Sequence, residues 1–322
     1  MTYNADLSRK GPGLLVRDLL RFEDPVLRAT LQAIVDLRPD VLALQDVDYD
    51  HDLVALGLIQ DRLKELGHPM PYGFAEPPNT GIATGFDIDR DGRFDTARDR
   101  QGYGVFTGQG GIALLSEHPI LTDQAQDFST LLWQDFPDAD LPIRYFEADE
   151  LAVLRLHDVA AWQVPVRLPE GEVQVLAAQA GPPVFDGPEN RNGLKNADQL
   201  RFWDAQISRL GSAEFVLMGG LNNDPVDGQG LKPPLIKLLR NPFVQDPRPE
   251  AASGLISDPN HNGPAAQDTV DWGRDIGSLR VDYILPSASL GVAAAAVERD
   301  QAAGQIADLP AHKPVWVDVF WK

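Results

Sequence analysis

The chain contains no cysteine in 322 residues. That absence removes disulfides, thiolate metal sites and cysteine nucleophiles together, yet it leaves the compartment open, because reducing and oxidising surroundings both accept a cysteine-free chain. Basic side chains are also scarce: 28 Lys and Arg face 48 Asp and Glu, a formal net charge of −20. So acidic a molecule repels phosphate backbones and anionic lipid, which makes duplex nucleic acid and membranes poor partners, although a local basic cleft can coexist with an acidic exterior. No uninterrupted apolar run approaches the ~20 residues of a membrane helix. The start, Met1-Thr2-Tyr3-Asn4, has neither the basic nor the apolar part of a secretion signal.

What is present describes an ordinary folded protein. Hydrophobic residues at 43% and charged residues at 24% can build a core and exclude disordered and fibrous classes. The 28 glycines and 26 prolines point to long loops. No internal repeat, low-complexity tract or shift in composition divides the chain, so one domain over residues 1–322 is expected.

Asp24-Pro25 followed by Leu27, Leu31, Ile34 and Val35 reads as a capped helix with proline at its first position. Val41 to Leu44 is a short apolar run between Pro39 and the acids Asp46, Asp48 and Asp50, hence a buried strand. Leu53, Leu56, Leu63 and Leu66 mark a second helix, and Leu200, Trp203, Ile207 and Leu210 a third. Strands are expected at Ile112–Leu115, Val173–Ala178, Phe215–Met218, Arg280–Leu285 and Val315–Phe320, with a hairpin joining Leu151–Leu156 to Val159–Val166. Long polar loops are expected from Glu76 to Gly110, Pro182 to Asn196 and Gln245 to Gly277. The mixture argues for an α/β or α+β layered sandwich with its loops gathered at one end.

One loop carries a metal signal of its own. Asp87, Asp89, Asp91 and Asp95 stand at positions 1, 3, 5 and 9 of a run with Gly92 at 6 and Arg93 at 7, the spacing that wraps oxygen ligands round Ca2+. Position 12 is Arg98 rather than Glu, and neither flank reads as an amphipathic helix, so a solvated acidic turn is the competing reading.

Five stretches taken in order resemble the endonuclease/exonuclease/phosphatase superfamily, the group with the deoxyribonuclease-I-like fold. They are Tyr3-Asn4; Pro39 to Asp46; Gln179 to Asn196; Leu217 to Pro225, read Leu-Met-Gly-Gly-Leu-Asn-Asn-Asp-Pro; and Arg280 to Leu285 with Pro310 to Val315 behind it. The resemblance implies a four-layer α-β-β-α sandwich of two mixed sheets and hydrolysis of phosphate esters with a divalent metal. It implies Asp46 as a cleft metal ligand for Mg2+ or Mn2+, one methylene shorter than the family's usual Glu, and Asn4 as an aid to metal or phosphate binding. It implies Asn222 and His312 as catalytic groups, with Asp282 and Tyr283 orienting the site in a mainly structural role. Arg191 would meet an anion or brace its loop, and Asp224 would cap a turn with Pro225.

Three positions depart from the family's pattern. Gln179 stands where the resemblance puts a catalytic His, and an amide cannot shuttle a proton at neutral pH. Gly220 stands where it puts the carboxylate that positions water. Ala311 stands where it puts the Asp beside His312, which leaves the imidazole without a neighbouring acid to orient it. The expectation is therefore a phosphoesterase fold with hydrolysis lost or impaired. An enzyme working through Asp46, Asn222 and His312, or a calcium-stabilised extracellular binding protein, are the alternatives. A phosphate-containing small molecule is the expected partner. Tyr3-Asn4 resembles the end of the family's first central strand, so the native polypeptide is expected to extend upstream of Met1, and a secreted or periplasmic setting follows if that extension holds a signal.

Overall fold

The structure, a computed structural model, describes residues 1–252, 261–273, 276–299 and 310–322. Two mixed sheets face one another. The first has the order β12-β13-β1-β2-β4-β3, formed by β1 (Thr2–Asn4), β2 (Val41–Val47), β3 (Tyr72–Phe74), β4 (Gly111–Ser116), β12 (Leu290–Val297) and β13 (Val315–Trp321). The second runs β11-β8-β7-β6-β5, from β5 (Gln126–Asp127), β6 (Ala160–Leu168), β7 (Gly171–Gln179), β8 (Phe215–Gly220) and β11 (Asp282–Pro286). A small ribbon pairs β9 (Val270–Asp271) with β10 (Ser278–Leu279). Among the described strands only β1 with β2 and β7 with β8 are parallel pairs.

The central strands read as continuous apolar runs because both of their faces are buried. On β2, Leu42 and Leu44 point outward to α1 (Leu14–Arg21), α2 (Pro25–Leu37) and α3 (Val54–Glu65), while Ala43 points into the space between the sheets. On β8, Phe215 and Leu217 pack under α5 (Arg191–Leu210) and α6 (Lys232–Leu239), while Val216 and Met218 face inward beside Trp162, Val175 and Ile284. The layers are thus helix, sheet, sheet, helix, and each fully buried Leu or Ile contributes roughly 1.5–3 kcal/mol. The start of α2 obeys the sequence signal, since the Asp24 carboxylate accepts from the Val26 and Leu27 amides. Among the described residues no helix is long and apolar enough to cross a membrane.

Three expectations are corrected. Leu151–Leu156 is not a strand: Glu147 and Glu150 form a capping box that starts α4 (Ala148–Leu151), and Leu151 and Leu154 bury against Ile88 and Phe146. The hairpin instead joins β6 to β7 through Pro169-Glu170. The loop expected up to Asn196 is helical from Arg191, because Lys195, Asn196, Asp198 and Gln199 are polar yet buried and so conceal the apolar stripe. The Gln245–Gly277 stretch contains β9, and its residues 253–260 and 274–275 lie outside those described. Helices α1 and α6 and strand β12 have no counterpart in the sequence reading. Gly13 opens α1 with no side-chain cap, α6 carries prolines, and β12 is rich in alanine, so all three lack strong local signals.

The strand ends converge. Parallel β7 and β8 bring Gln179 beside Gly220, and antiparallel β11 brings Asp282 beside the same Gly220. Gly219 makes this possible: its φ is 139°, and a Cβ there would stand 1.8 Å from the Ala178 carbonyl oxygen. Gly219→Ala should therefore cost ~1–3 kcal/mol or more, read as a lower urea midpoint.

Candidate active site

The cleft lies where β1, β2, β7 and β8 end and where β11 and β13 begin. Its acidic centre is Asp46, which sits in a β-bulge: Gln45 pairs with Ile112, Val47 pairs with Gly111, and Asp46 between them adopts φ 57°. A bulge re-aims one side chain out of the strand's alternation. Gly110 leaves room for it, since a Cβ there would meet Asp46 Oδ1 at 2.7 Å. Burial, followed by the charges of Asp6 and Asp48, pushes the Asp46 carboxyl up to about 7, and the nearby His312 draws it back. Asp48 is better served, accepting from Ser8 Oγ at 2.9 Å and from the Arg9 and Gly110 amides at 2.8 and 3.1 Å. Asn4 ends β1 opposite Gln45, half-buried, with no side-chain hydrogen bond among the described residues.

His312 departs from expectation in a way that matters. Its Nδ1 lies 2.7 Å from Asp282 Oδ2, so the acid that Ala311 cannot supply comes from β11 instead. Asp282 is thus a direct partner of the imidazole, an orienting contact, and the expectation that Ala311 leaves the ring without an acid is corrected. The sequence separates the two by 30 residues, and only sheet pairing could reveal their contact. Thr269, unmarked by any sequence signal, fixes the pair: its hydroxyl donates to Asp282 Oδ2 at 2.8 Å and accepts from the Val281 and Asp282 amides. Trp272 stands edge-on to the imidazole, with ring centroids 5.5 Å apart. Tyr283 is buried and its hydroxyl donates to the Asn223 and Arg280 carbonyls, a bracing role.

On the opposite wall, Asn222 holds φ 51° and donates from Nδ2 to the Ala180 carbonyl at 2.6 Å. Asp224 caps the following turn by accepting from the Val226 and Asp227 amides, both at 2.7 Å. Gln179 and Gly220 interlock: a Cβ on Gly220 would stand 2.3 Å from Gln179 Oε1. The Gln179 amide thus occupies the space a side chain at 220 would claim. Gly220 itself has no left-handed backbone; the φ constraint belongs to Gly219.

Cleft chemistry suits a hard divalent cation. Asp46 is a carboxylate held among like charges, and Asp282 Oδ1 and Gln179 Oε1 are buried without a hydrogen-bond partner. Asp46 would be the anionic ligand, and such oxygen donors favour Mg2+, Mn2+ or Ca2+. The ion would supply positive charge against an anionic oxygen.

The structure brings Asn4, Asp46, Asn222, Asp282 and His312 to one cleft, but Arg191 and the 87–95 loop lie apart from it. Arg191 reaches the Arg98 carbonyl at 3.5 Å, so it braces the acidic loop. Within that loop Asp87 and Asp89 are joined by Asp99, the three offering oxygens within 4.8 Å of one another. Asp91 turns instead to Arg93 at 3.0 Å, and the side chain of Asp95 is not among the three close carboxylates. Asp99, the acid adjacent to position 12 of the loop, is buried and accepts from the Ile88 amide and from Thr96.

The profile described as the Endonuclease/Exonuclease/phosphatase family matches residues 1–306. Among solved structures, an endonuclease/exonuclease/phosphatase from Beutenbergia cavernae DSM 12333 superposes with a TM-score of 0.60 at 16% identity, over 99% of this chain and 70% of that one. A family protein from Leptotrichia buccalis C-1013-b gives 0.57 at 15%, over 99% and 98%. Sphingomyelinase C from Streptomyces griseocarneus gives 0.53 at 17%, over 98% and 97%. Identities this low show a shared fold. No curated protein matches the chain in sequence.

The Asp46 shift has a sign that can be measured. An unfolded Asp loses its proton near pH 4, whereas the folded chain keeps this one up to about 7. The stability contributed by that proton is complete below about pH 4 and is lost as pH rises towards 7. Asp46→Asn should therefore raise the melting temperature more at pH 8 than at pH 5 when scanned without divalent ions.

Proposed function

The chain belongs to the endonuclease/exonuclease/phosphatase family, and from that membership we propose a phosphoesterase-fold protein whose hydrolysis of phosphate esters is lost or strongly impaired. Its cleft retains the means to hold a small phosphate-bearing ligand beside a divalent cation. The observation that carries this reading is the interlock of Gln179 with Gly220. At these two strand ends the family resemblance calls for a His and an Asp, and neither a proton carrier nor a water-orienting carboxylate is available from Gln and Gly. Loss of one such group costs ~10² to 10⁴ in rate. A ligand phosphate would meet the cation at Asp46 and the amide of Asn222, with His312 held by Asp282 as a further donor. The anionic exterior favours a small ligand over duplex nucleic acid.

A second reading has its own support. The Asp282–His312 pair at 2.7 Å is intact, so an atypical enzyme could work through Asp46, Asn222 and His312 without the missing groups.

Repair of the interlock separates the two. The unmodified chain should cleave p-nitrophenyl phosphate and bis-p-nitrophenyl phosphate at background with Mg2+, Mn2+ or Ca2+ present. Gln179→His with Gly220→Asp should gain metal-dependent hydrolysis, and Ala311→Asp is not required because Asp282 already holds the imidazole. Gly220→Asp alone should fail, since its Cβ meets the Gln179 amide, and residues acting as a unit are non-additive. Robust hydrolysis by the unmodified chain, abolished by Asp46→Asn or His312→Ala, would establish the second reading.

The acidic loop is assigned a Ca2+ ion on Asp87, Asp89 and Asp99, where an ion would relieve the repulsion among clustered carboxylates. Ca2+ should raise the melting temperature, and Asp87→Asn with Asp89→Asn should abolish that rise. An unchanged melting curve would reduce the loop to a polar turn.

A further inference from the structure

A second group of metal-type donors lies at the other end of the first sheet. Asp40 precedes β2 and Asp46 lies near its far end, six residues on, so this group stands roughly 20 Å from the cleft acid. β4 is antiparallel to β2, and its last residue, Ser116, pairs with Val41, so Glu117 and His118 emerge beside Asp40. The backbone locks them together: the Glu117 amide donates to the Asp40 carbonyl at 2.9 Å, and Ser116 Oγ donates to the same carbonyl while accepting from the His118 amide. Asp40, Glu117 and His118 each offer a ligand atom within 4.8 Å of the others.

The independent observation is His68, which follows α3 and whose side chain is 1% exposed. Its Nε2 lies 3.1 Å from the Pro39 carbonyl oxygen. A carbonyl can only accept, so Nε2 carries the proton, and in the neutral ring Nδ1 presents a lone pair. That Nδ1 is buried with no hydrogen-bond partner and faces Glu117 Oε1 at 3.2 Å. In the neutral ring a lone pair aimed at a carboxylate oxygen is repulsive, and the contact is relieved either by a second proton, which makes it an ion pair, or by a metal ion held between the two atoms. An imidazole whose other nitrogen donates to a backbone carbonyl is also the usual state of a metal-ligating histidine.

We propose that His68, Asp40, Glu117 and His118 form a binding site for a divalent transition metal of the Zn2+ class. Donors of a tetrahedral ion with bonds of about 2.1 Å stand roughly 3.4 Å apart. Asp40, Glu117 and His118 form the mutually close set, with His118 and Asp40 3.9 Å apart, and His68 joins it through Glu117 at 3.2 Å, so binding a single ion would draw His68 closer to the other two. Two imidazoles and two carboxylates suit Zn2+ or Co2+ and distinguish this group from the all-oxygen cleft and loop, which suit Mg2+ and Ca2+. The ion would tie the C-terminal end of α3 to the β2 and β4 ends, so its role is structural and needs no contact with the cleft.

The test is a Co2+ titration of the full chain, freed of metal by chelation and kept in excess Mg2+ and Ca2+ to fill the oxygen sites. One equivalent with the intense visible absorption of tetrahedral Co2+, displaced by Zn2+, is expected for the unmodified chain and for Asp46→Asn. His118→Ala, at a half-buried surface position, should weaken binding by more than about 100-fold, beyond the loss of an outer-shell partner. Should His68→Ala fail to fold, nitrogen-detected NMR of the unmodified chain supplies the second readout, with Zn2+ shifting His68 Nδ1 while Nε2 keeps its proton. Octahedral Co2+ spectra, equal affinity in His118→Ala, or a proton found on His68 Nδ1 in excess Zn2+ would each overturn the site.

Discussion

The bond between Asp282 and His312 is the constraint on which the cleft depends. Asp282 begins β11 in the second sheet, and His312 leads into β13 in the first, so one side-chain contact spans the two layers at their open end. It is set from below by Thr269, whose hydroxyl both donates to the carboxylate and accepts from two amides. Such a chain of hydrogen bonds in a buried setting polarises and stiffens its members. His312 is thereby held close enough to Asp46 to draw down a carboxyl that burial and two other acids drive up. Remove the bond and the two sheets still pack through their apolar faces, but the imidazole loses its fixed position.

The opposite wall is organised by an exchange of volume. A glycine at 220 leaves space at the end of β8, and the longer amide of Gln179 takes it. The two positions are coupled, because a side chain at 220 would require the end of the Gln179 side chain to move. The wall there presents the Gln179 amide, whose buried oxygen has no hydrogen-bond partner among the described residues.

Acidity is distributed in separate places with separate partners. Asp48 is neutralised by backbone amides, Asp224 and Asp227 by turn and loop amides, and Asp158 by the buried Lys195 at 2.7 Å. Asp46, crowded by Asp6 and Asp48, is less fully compensated, whereas Asp87 and Asp99 accept from backbone amides although they stand close together.

The sequence by itself determined the layers. Apolar runs at Val41–Leu44 and Phe215–Met218 bury both faces whatever their neighbours, and the Asp24-Pro25 cap starts α2 through contacts two and three residues away, so local pattern suffices for both. Motif order also placed Asp46, Asn222, Asp282 and His312 near strand ends, where the structure has them. What the chain could not declare locally was decided by tertiary structure: the bulge that aims Asp46, the partnership of Asp282 with His312, and the support from Thr269. Each depends on residues brought together by strand pairing or loop packing. The polar face of α5 is the same lesson in reverse, since Lys195, Asn196 and Gln199 look solvent-facing in sequence and are buried only because Asp158, Gly181 and Leu221 supply their hydrogen bonds.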